Sequence, residues 1–334
     1  MFDIITIGTA TRDVFLSVKG MKTISDKKEL KKMQIKFGEA ECFPLGAKLE
    51  MESPIFTVGG GAANAAVTFA RQKIKTGFFA KLGTDEFAEK IIRVLRKEGI
   101  VSYACHEHKK GTAYSTIFLT SSGERTVLVY RGASEDVCFS DLPLKKMKTR
   151  WVYIAPGGIS YQVLLKIVDY FFAKGVRIAI NPSKNLLKEH KEHMKRIFSK
   201  CSVVCVNREE ASYVTGVSFE KREELFRSFA RMVPGISIMT DGKDGAYAHE
   251  RGYVYFAKSM KEKRCIDRTG AGDAFCSGFV SGLVHKKSIL EALRIGSANA
   301  TSIVEHIGAE KGVLYKNDIN LPRFKNISIT IKKI

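Results

Sequence analysis

No run of apolar residues in this 334-residue chain reaches the roughly 18–20 needed to cross a bilayer. The first residues, Met1-Phe2-Asp3-Ile4-Ile5-Thr6-Ile7-Gly8, lack the basic region and small-residue cleavage site of a secretory leader and read as a buried strand. The seven cysteines, at 42, 105, 138, 201, 205, 265 and 276, are odd in number and scattered, which argues against a disulfide framework and suits a reducing cytosol. A cytoplasmic protein is expected. Acidic side chains are few: 35 Asp and Glu against 55 Lys and Arg leave a net charge of +20. The excess is mostly lysine spread along the chain, with no basic stripe interleaved with aromatics and no helix-turn-helix or zinc-finger spacing. That pattern predicts a solvated surface rather than a nucleic-acid partner, and it also favours the approach of a polyanionic nucleotide. A Gly-Lys-Ser/Thr phosphate loop is absent, so P-loop kinases are excluded. The glycines at 59–61 fail the dinucleotide-binding spacing, and repeats and low-complexity segments are missing too.

What is present is an ordinary globular balance, 45% hydrophobic and 27% charged, long enough for a large α/β domain or a core with an appendage. From about residue 60 onward, apolar runs of strand length alternate with amphipathic helical stretches. The helix predicted over 86–98 puts Phe87, Ile91, Val94 and Leu95 on one face. Strands are predicted at 76–82, 151–155, 176–180, 203–206 and 236–239, and helices at 61–72, 161–174, 223–232, 273–283 and 289–304. Such alternation predicts a mostly parallel sheet with helices on both faces. Residues 17–58 and 101–131 break the pattern with short strand-like runs, expected to meet as a small antiparallel sheet. The expected core is then 1–16, 59–100 and 132–334.

Candidate chemistry starts with Thr269-Gly270-Ala271-Gly272-Asp273, which opens a predicted helix. Small residues let backbone N–H groups approach a ligand, and a helix N-terminus offers unpaired donors and a positive dipole end. This is an anion hole suited to a phosphate, with Asp273 able to take a proton from an attacking hydroxyl. The bland reading is a glycine turn whose Asp merely stabilises the helix. Gly59-Gly60-Gly61-Ala62-Ala63-Asn64 is a second glycine loop running into a helix, and Asn64 is its polar residue. Thr240-Asp241-Gly242-Lys243-Asp244-Gly245 and Asn207-Arg208-Glu209-Glu210 each follow a predicted strand, where ligands of open α/β sheets gather.

These four motifs, in this order, resemble the ribokinase-like (PfkB) carbohydrate kinase family over nearly the whole chain. The resemblance implies a three-layer α/β/α core with a mostly parallel sheet and a small antiparallel β lid. It implies an ATP-dependent kinase acting on a hydroxymethyl group of a sugar or sugar acid. Asp273 is then the general base, and the N–H groups of Gly270, Ala271 and Gly272 stabilise the phosphoryl group in transfer. Asp13, Gly60, Gly61 and Asn64 fall where the family binds sugar hydroxyls. Asn207 and Glu210 fall where it organises Mg²⁺ through water, and Thr240, Gly242, Gly245 and Asn299 border the nucleotide. Asp267 and Thr269 stand where some members bind a monovalent cation such as K⁺. A homodimer through the lid is also a family habit.

The departures are informative. Thr11 replaces the Asn of ribokinases themselves and Gly61 their Lys, which leans away from ribose. Arg131 meets either a substrate carboxylate or phosphate, or a surface partner. Arg268 stands where the family has a small residue and has no explanation at this level. Two other readings stay open. A nucleoside kinase is favoured if Phe37, Phe43, Tyr103 and Tyr114 stack on a base; an inactive sugar-binding homologue is disfavoured by the intact Asp273 turn. Cys105-His106-Glu107-His108 lacks a companion cluster and is expected to be exposed strand residues, not a metal site.

Overall fold

A ten-stranded sheet crosses the computed structural model, which describes residues 1–18, 22–32, 40–119 and 125–333. Phe37, and residues 120–124 within the 101–131 stretch, lie outside these residues. The order from one edge is Ile329–Lys333, Tyr253–Ala257, Ala246–Glu250, Ile236–Thr240, Val203–Asn207, Arg177–Ile180, Thr149–Ala155, Phe2–Gly8, Thr76–Phe79 and Val101–Ser102. From Val101–Ser102 to Ile236–Thr240 every pairing is parallel. The apolar runs explain this, because a central parallel strand is covered on both faces and needs apolar residues throughout. The three strands beyond Thr240 pair antiparallel and extend the sheet past the expected edge.

Two apolar layers result. Helices Gly61–Arg71, Ala271–Val284 and Ile289–Ile303 pack one face with Tyr153, Ala179 and Cys205 of the sheet. Helices Tyr161–Ala173, Arg208–Thr215 and Arg222–Met232 pack the other with Ile5, Ile154 and Val204. Strand order reverses between Phe2–Gly8 and Thr149–Ala155, so the crevice at their C-terminal ends is the place for a ligand.

The second sheet has the order Arg125–Tyr130, Tyr114–Leu119, Thr11–Leu16, Ile55–Gly59. Three expectations are corrected here. Thr11–Leu16 belongs to this sheet rather than to the core, since only Thr9 and Ala10 separate it from Phe2–Gly8 and the chain swings straight from one sheet into the other. The sheet is also mixed: Thr11–Leu16 runs parallel to Tyr114–Leu119, although the two flanking pairs are antiparallel. Val101–Ser102 and Cys105–His106 leave it altogether. They pair with Gly77–Phe78 and Lys81–Leu82, because the chain coming off helix Glu86–Lys97 runs back beside those strands.

Tyr103 accordingly packs edge-on against Phe2 of the core, 6.0 Å between ring centres. The join between the sheets is held by Asp85. Its carboxylate caps helix Glu86–Lys97 through the Ala88 N–H (3.0 Å) and accepts the Thr112 N–H (2.6 Å) at the base of the second sheet. Phe87 stacks on Tyr114 beside it, at 5.3 Å and 16°.

Candidate active site

Two glycine loops meet at the crevice. After strand Ile55–Gly59 the chain turns at Gly60 with φ of +91°, and a β-carbon there meets Ala10 Cα at 2.6 Å and Thr9 O at 2.7 Å. Only glycine fits. Helix Gly61–Arg71 then carries Asn64 inward, with the Ala62 and Ala63 N–H groups on Thr9 O at 3.2 and 3.3 Å. The second loop hangs on Asp267, which is fully buried. Its carboxylate accepts the Thr269 N–H (2.9 Å), the Thr269 hydroxyl (2.6 Å) and the Gly308 N–H (3.1 Å). Gly270 follows at φ +77°, its α-carbon so close to Ala309 that a β-carbon lies 2.5 Å from that residue's Cβ.

Helix Ala271–Val284 begins there. The Gly270 and Gly272 N–H groups donate to no described residue, and Ala271 N reaches Arg268 O only at 3.4 Å. They are the orphan donors of a helix start, unclaimed by any cap. Asp273 sits in the same first turn, half-buried, and Asn64 Nδ2 donates to its Oδ2 at 2.9 Å. That bond ties the two glycine loops together. Burial raises the Asp273 carboxyl above the ordinary carboxylate value, and the Asn64 donor pulls it part of the way back. Gly61 opens onto the same carboxylate: a β-carbon there points at Ala155 and lies 3.5 Å from Asp273 Oδ1.

Asp13 stands at the mouth of the first loop, buried against Gly59, with the Thr11 hydroxyl on its Oδ1 at 2.8 Å. Burial pushes its carboxyl up, while the Thr11 and Ser115 hydroxyls pull down. Arg131 has its Nε 3.5 Å from Glu135 Oε1, a pair in which both side chains are partly exposed.

On the other side of the Ala271–Gly272 turn lies a cavity of about 320 Å³ lined by Asn207, Thr240, Gly242 and Gly245. Asn207 and Glu210 close a capping box on helix Arg208–Thr215, each backbone N–H donating to the other's side chain at 2.8 Å. Burial pushes Glu210 up to about 7 against the pull of the Asn207 N–H, and the charge of Asp273 adds to the rise. Buried Asp241, 3.3 Å from Arg208 and 2.7 Å from Arg222, fastens the Asn207 loop to the Thr240 loop.

Asn299 does not border this cavity. It is buried, giving Nδ2 to Ala274 O (2.9 Å) and Thr68 Oγ1 (3.3 Å) and accepting the Leu314 N–H (3.0 Å). The reason is helical phase: Ser297, Ala300 and Thr301 face the cavity, and residue 299 points into the helix interface. Sequence reasoning missed Lys243, Ser259, Met260 and Phe275 of the lining. Only Lys243 lies within a motif; the 259–265 stretch carries no turn or periodicity signal.

The donor sets can be judged for ions. The Asp267 carboxylate carries three protein donors, two on one oxygen and one on the other. No group of three His, Cys, Asp or Glu side chains among the described residues is built to hold a metal ion directly. Glu210 and Asp273, by contrast, are carboxyls whose charges oppose each other, a balance that a hydrated dication relieves.

A model of the pfkB family carbohydrate kinases matches residues 32–314. The chain belongs to that family. A protein named probable fructokinase-5 from Arabidopsis thaliana is 26% identical over 255 residues, covering 70% of this chain and 75% of that protein. The 5-dehydro-2-deoxygluconokinase of Shouchella clausii is 25% identical over 270 residues, covering 76% and 82%. The crystal structure of a probable sugar kinase from Rhizobium etli CFN 42 superposes with a TM-score of 0.80 at 19% identity, over 97% of this chain and 99% of that one. As a pfkB carbohydrate kinase, this protein is a phosphotransferase with an alcohol group as acceptor. No helix among the described residues is long and apolar enough to cross a membrane.

One prediction belongs to the Asn64–Asp273 bond. Asn64→Ala removes the donor that lowers the Asp273 carboxyl, so its acidity falls further. A base must be deprotonated to act, so the acid limb of the kcat/KM profile is expected to move to higher pH by about half a unit to one unit. A pH profile of variant and parent checks this; superimposed limbs exclude the contact as a tuning device.

Proposed function

We propose that this kinase transfers the γ-phosphoryl group of ATP to a hydroxymethyl group of a sugar or sugar acid. The observation that carries the reading is the 2.9 Å bond from Asn64 to Asp273, which sets a carboxylate base between the two glycine loops and beside unpaired N–H donors. Asp273 takes the proton of the acceptor hydroxyl. The freed oxygen attacks the γ-phosphorus, and the bond from that phosphorus to the bridging oxygen of ADP breaks. The N–H groups of Gly270, Ala271 and Gly272 lie where charge builds on the transferring group. The protein does little covalent work here; positioning and charge stabilisation supply the rate.

The donor is assigned to the cavity of about 320 Å³, a usual size for a small-molecule site, because it ends at the anion hole. Asn207 and Glu210 are the residues to hold Mg²⁺ through water, and the ion, when bound, shields the donor phosphates from one another. Asp13, Gly60, Gly61 and Asn64 face the acceptor, under the second sheet as a lid that excludes water. A sugar is favoured over a nucleoside because Tyr103 packs on Phe2, Tyr114 on Phe87 and Phe43 on Phe118, so the described rings named for a base each have a partner within the protein.

The lid also has a surface for a second copy of the chain. Val127, Leu128 and Val129 on the outermost strand are 40%, 58% and 53% exposed. Light scattering of the parent and of Leu128→Glu tests it: a dimer that becomes a monomer supports the pairing, and a monomeric parent excludes it. The reaction itself is tested by acceptor-dependent ADP release over fructose, 5-dehydro-2-deoxygluconate, 2-keto-3-deoxygluconate, ribose and nucleosides. A sugar or sugar acid is expected to give the highest kcat/KM; a nucleoside in first place overturns the acceptor assignment.

A further inference from the structure

Arg268 interrupts the most informative motif of the chain, and its surroundings assign it a task. It sits between the buried Asp267 and the left-handed Gly270, so its backbone is held firmly. The Ile266 and Asp267 N–H groups bond Val304 O at 2.7 and 3.3 Å. From this anchored position the side chain lines the same cavity as Asn207, Thr240 and Gly272.

The guanidinium is exposed and makes no hydrogen bond or ion pair with the described residues. Arg208 and Arg222, by contrast, are held by Asp241. A free cation beside the positive end of helix Ala271–Val284 is electrostatically misplaced in the empty protein. A polyanion at the anion hole reverses that balance. Lys243 lines the cavity from the Thr240 loop, so two of the three charged lining residues are cations and Glu262 is the third.

We propose that Arg268 binds the phosphate chain of the donor nucleotide, supplied in cis from within the anion-hole loop, with Lys243 as its partner on the opposite loop. This rests on the kinase reading above and adds a residue to it. In the transfer step the bond from the γ-phosphorus to the bridging oxygen breaks, and negative charge collects on the β-phosphate of ADP. Arg268 offsets that charge as well as binding the ground state, since a guanidinium fork grips phosphate oxygens in pairs.

The test is calorimetric titration of ATP, AMP and adenosine, each with Mg²⁺ and no acceptor, into the parent, Arg268→Ala and Arg268→Lys. Because the side chain is exposed, the variants are expected to fold. Arg268→Ala is expected to weaken ATP binding about 10- to 100-fold while changing adenosine binding by less than about twofold, and Arg268→Lys to recover part of the loss. The thermal shift that ATP produces should fall in Arg268→Ala, whereas the unliganded midpoint should stay level or rise, as relief of a misplaced charge requires. Unchanged ATP affinity in Arg268→Ala overturns the proposal, and so does an equal loss for ATP and adenosine, which marks a purely structural role. Binding needs no turnover, so a protein that shows this pattern yet phosphorylates no acceptor contradicts the kinase reading and leaves Arg268 as a polyphosphate ligand.

Discussion

Asp273→Asn is expected to lower kcat by about 10²- to 10⁴-fold, the usual contribution of a positioned general base. ATP affinity should hardly change, because the donor cavity is lined by Asn207, Thr240 and the 242–245 turn and not by this side chain. The substitution is close to isosteric, and Asn64 Nδ2 can donate to the new amide oxygen as it does to the carboxylate at 2.9 Å. Geometry is therefore retained while the proton acceptor is lost. The bland alternative, in which Asp273 only complements the helix dipole, predicts a small loss of stability and normal turnover. Steady-state kinetics with a titration of ATP into the same preparation separates the two: full turnover removes Asp273 as the base.

Gly270→Ala is expected to damage both folding and rate. Its φ of +77° strains any side chain, and the added methyl group meets Ala309 Cβ at 2.5 Å. Relieving that contact displaces the turn from which Gly270, Ala271 and Gly272 present their N–H groups. A lost oxyanion-type donor commonly lowers kcat by about 10²- to 10³-fold, and the backbone strain costs about 1–3 kcal/mol of stability. The neighbouring Gly272 supplies the control. It has no positive φ and no atom within contact of a β-carbon, so Gly272→Ala is expected to fold normally. Thermal denaturation of the pair, with kcat for both, checks this. Equal stability of Gly270→Ala and the parent contradicts the assigned conformation.

The site was legible in the sequence wherever a strand end is followed by glycine or by a residue with one specific polar task. Asn64, Asp273, Asn207 and the glycines at 242 and 245 all belong to such turns, and the structure brings them to one crevice. Asn299 failed for a geometric reason. A helix repeats every 3.6 residues, but its phase relative to a cavity depends on packing, and here packing turns residue 299 toward Thr68 and Ala274. The boundary at residue 16 failed because alternation identifies a strand without naming its sheet. Thr11–Leu16 satisfies the second sheet with Asp13 turned to the crevice and Arg12 turned to Thr57 O. The antiparallel strands Ala246–Glu250 and Tyr253–Ala257 were passed over: the first ends in His249 and Glu250, and the second is apolar but short and follows the tight Arg251-Gly252 turn rather than a helix. The loop at 259–265 lines the donor cavity through its position alone, and no periodicity announces it.

The central claim is a chemical one: ATP gives its γ-phosphoryl group to an alcohol of a sugar-type acceptor, with Asp273 taking the proton. It is tested most directly by ³¹P spectroscopy of a reaction mixture containing ATP, Mg²⁺ and the best acceptor, run with the parent and with Asp273→Asn. Equal amounts of ADP and a new phosphate monoester on a hydroxymethyl carbon are expected with the parent, and almost none of either with the variant. ADP accompanied by free phosphate and no monoester, or a monoester formed equally fast by Asp273→Asn, contradicts it.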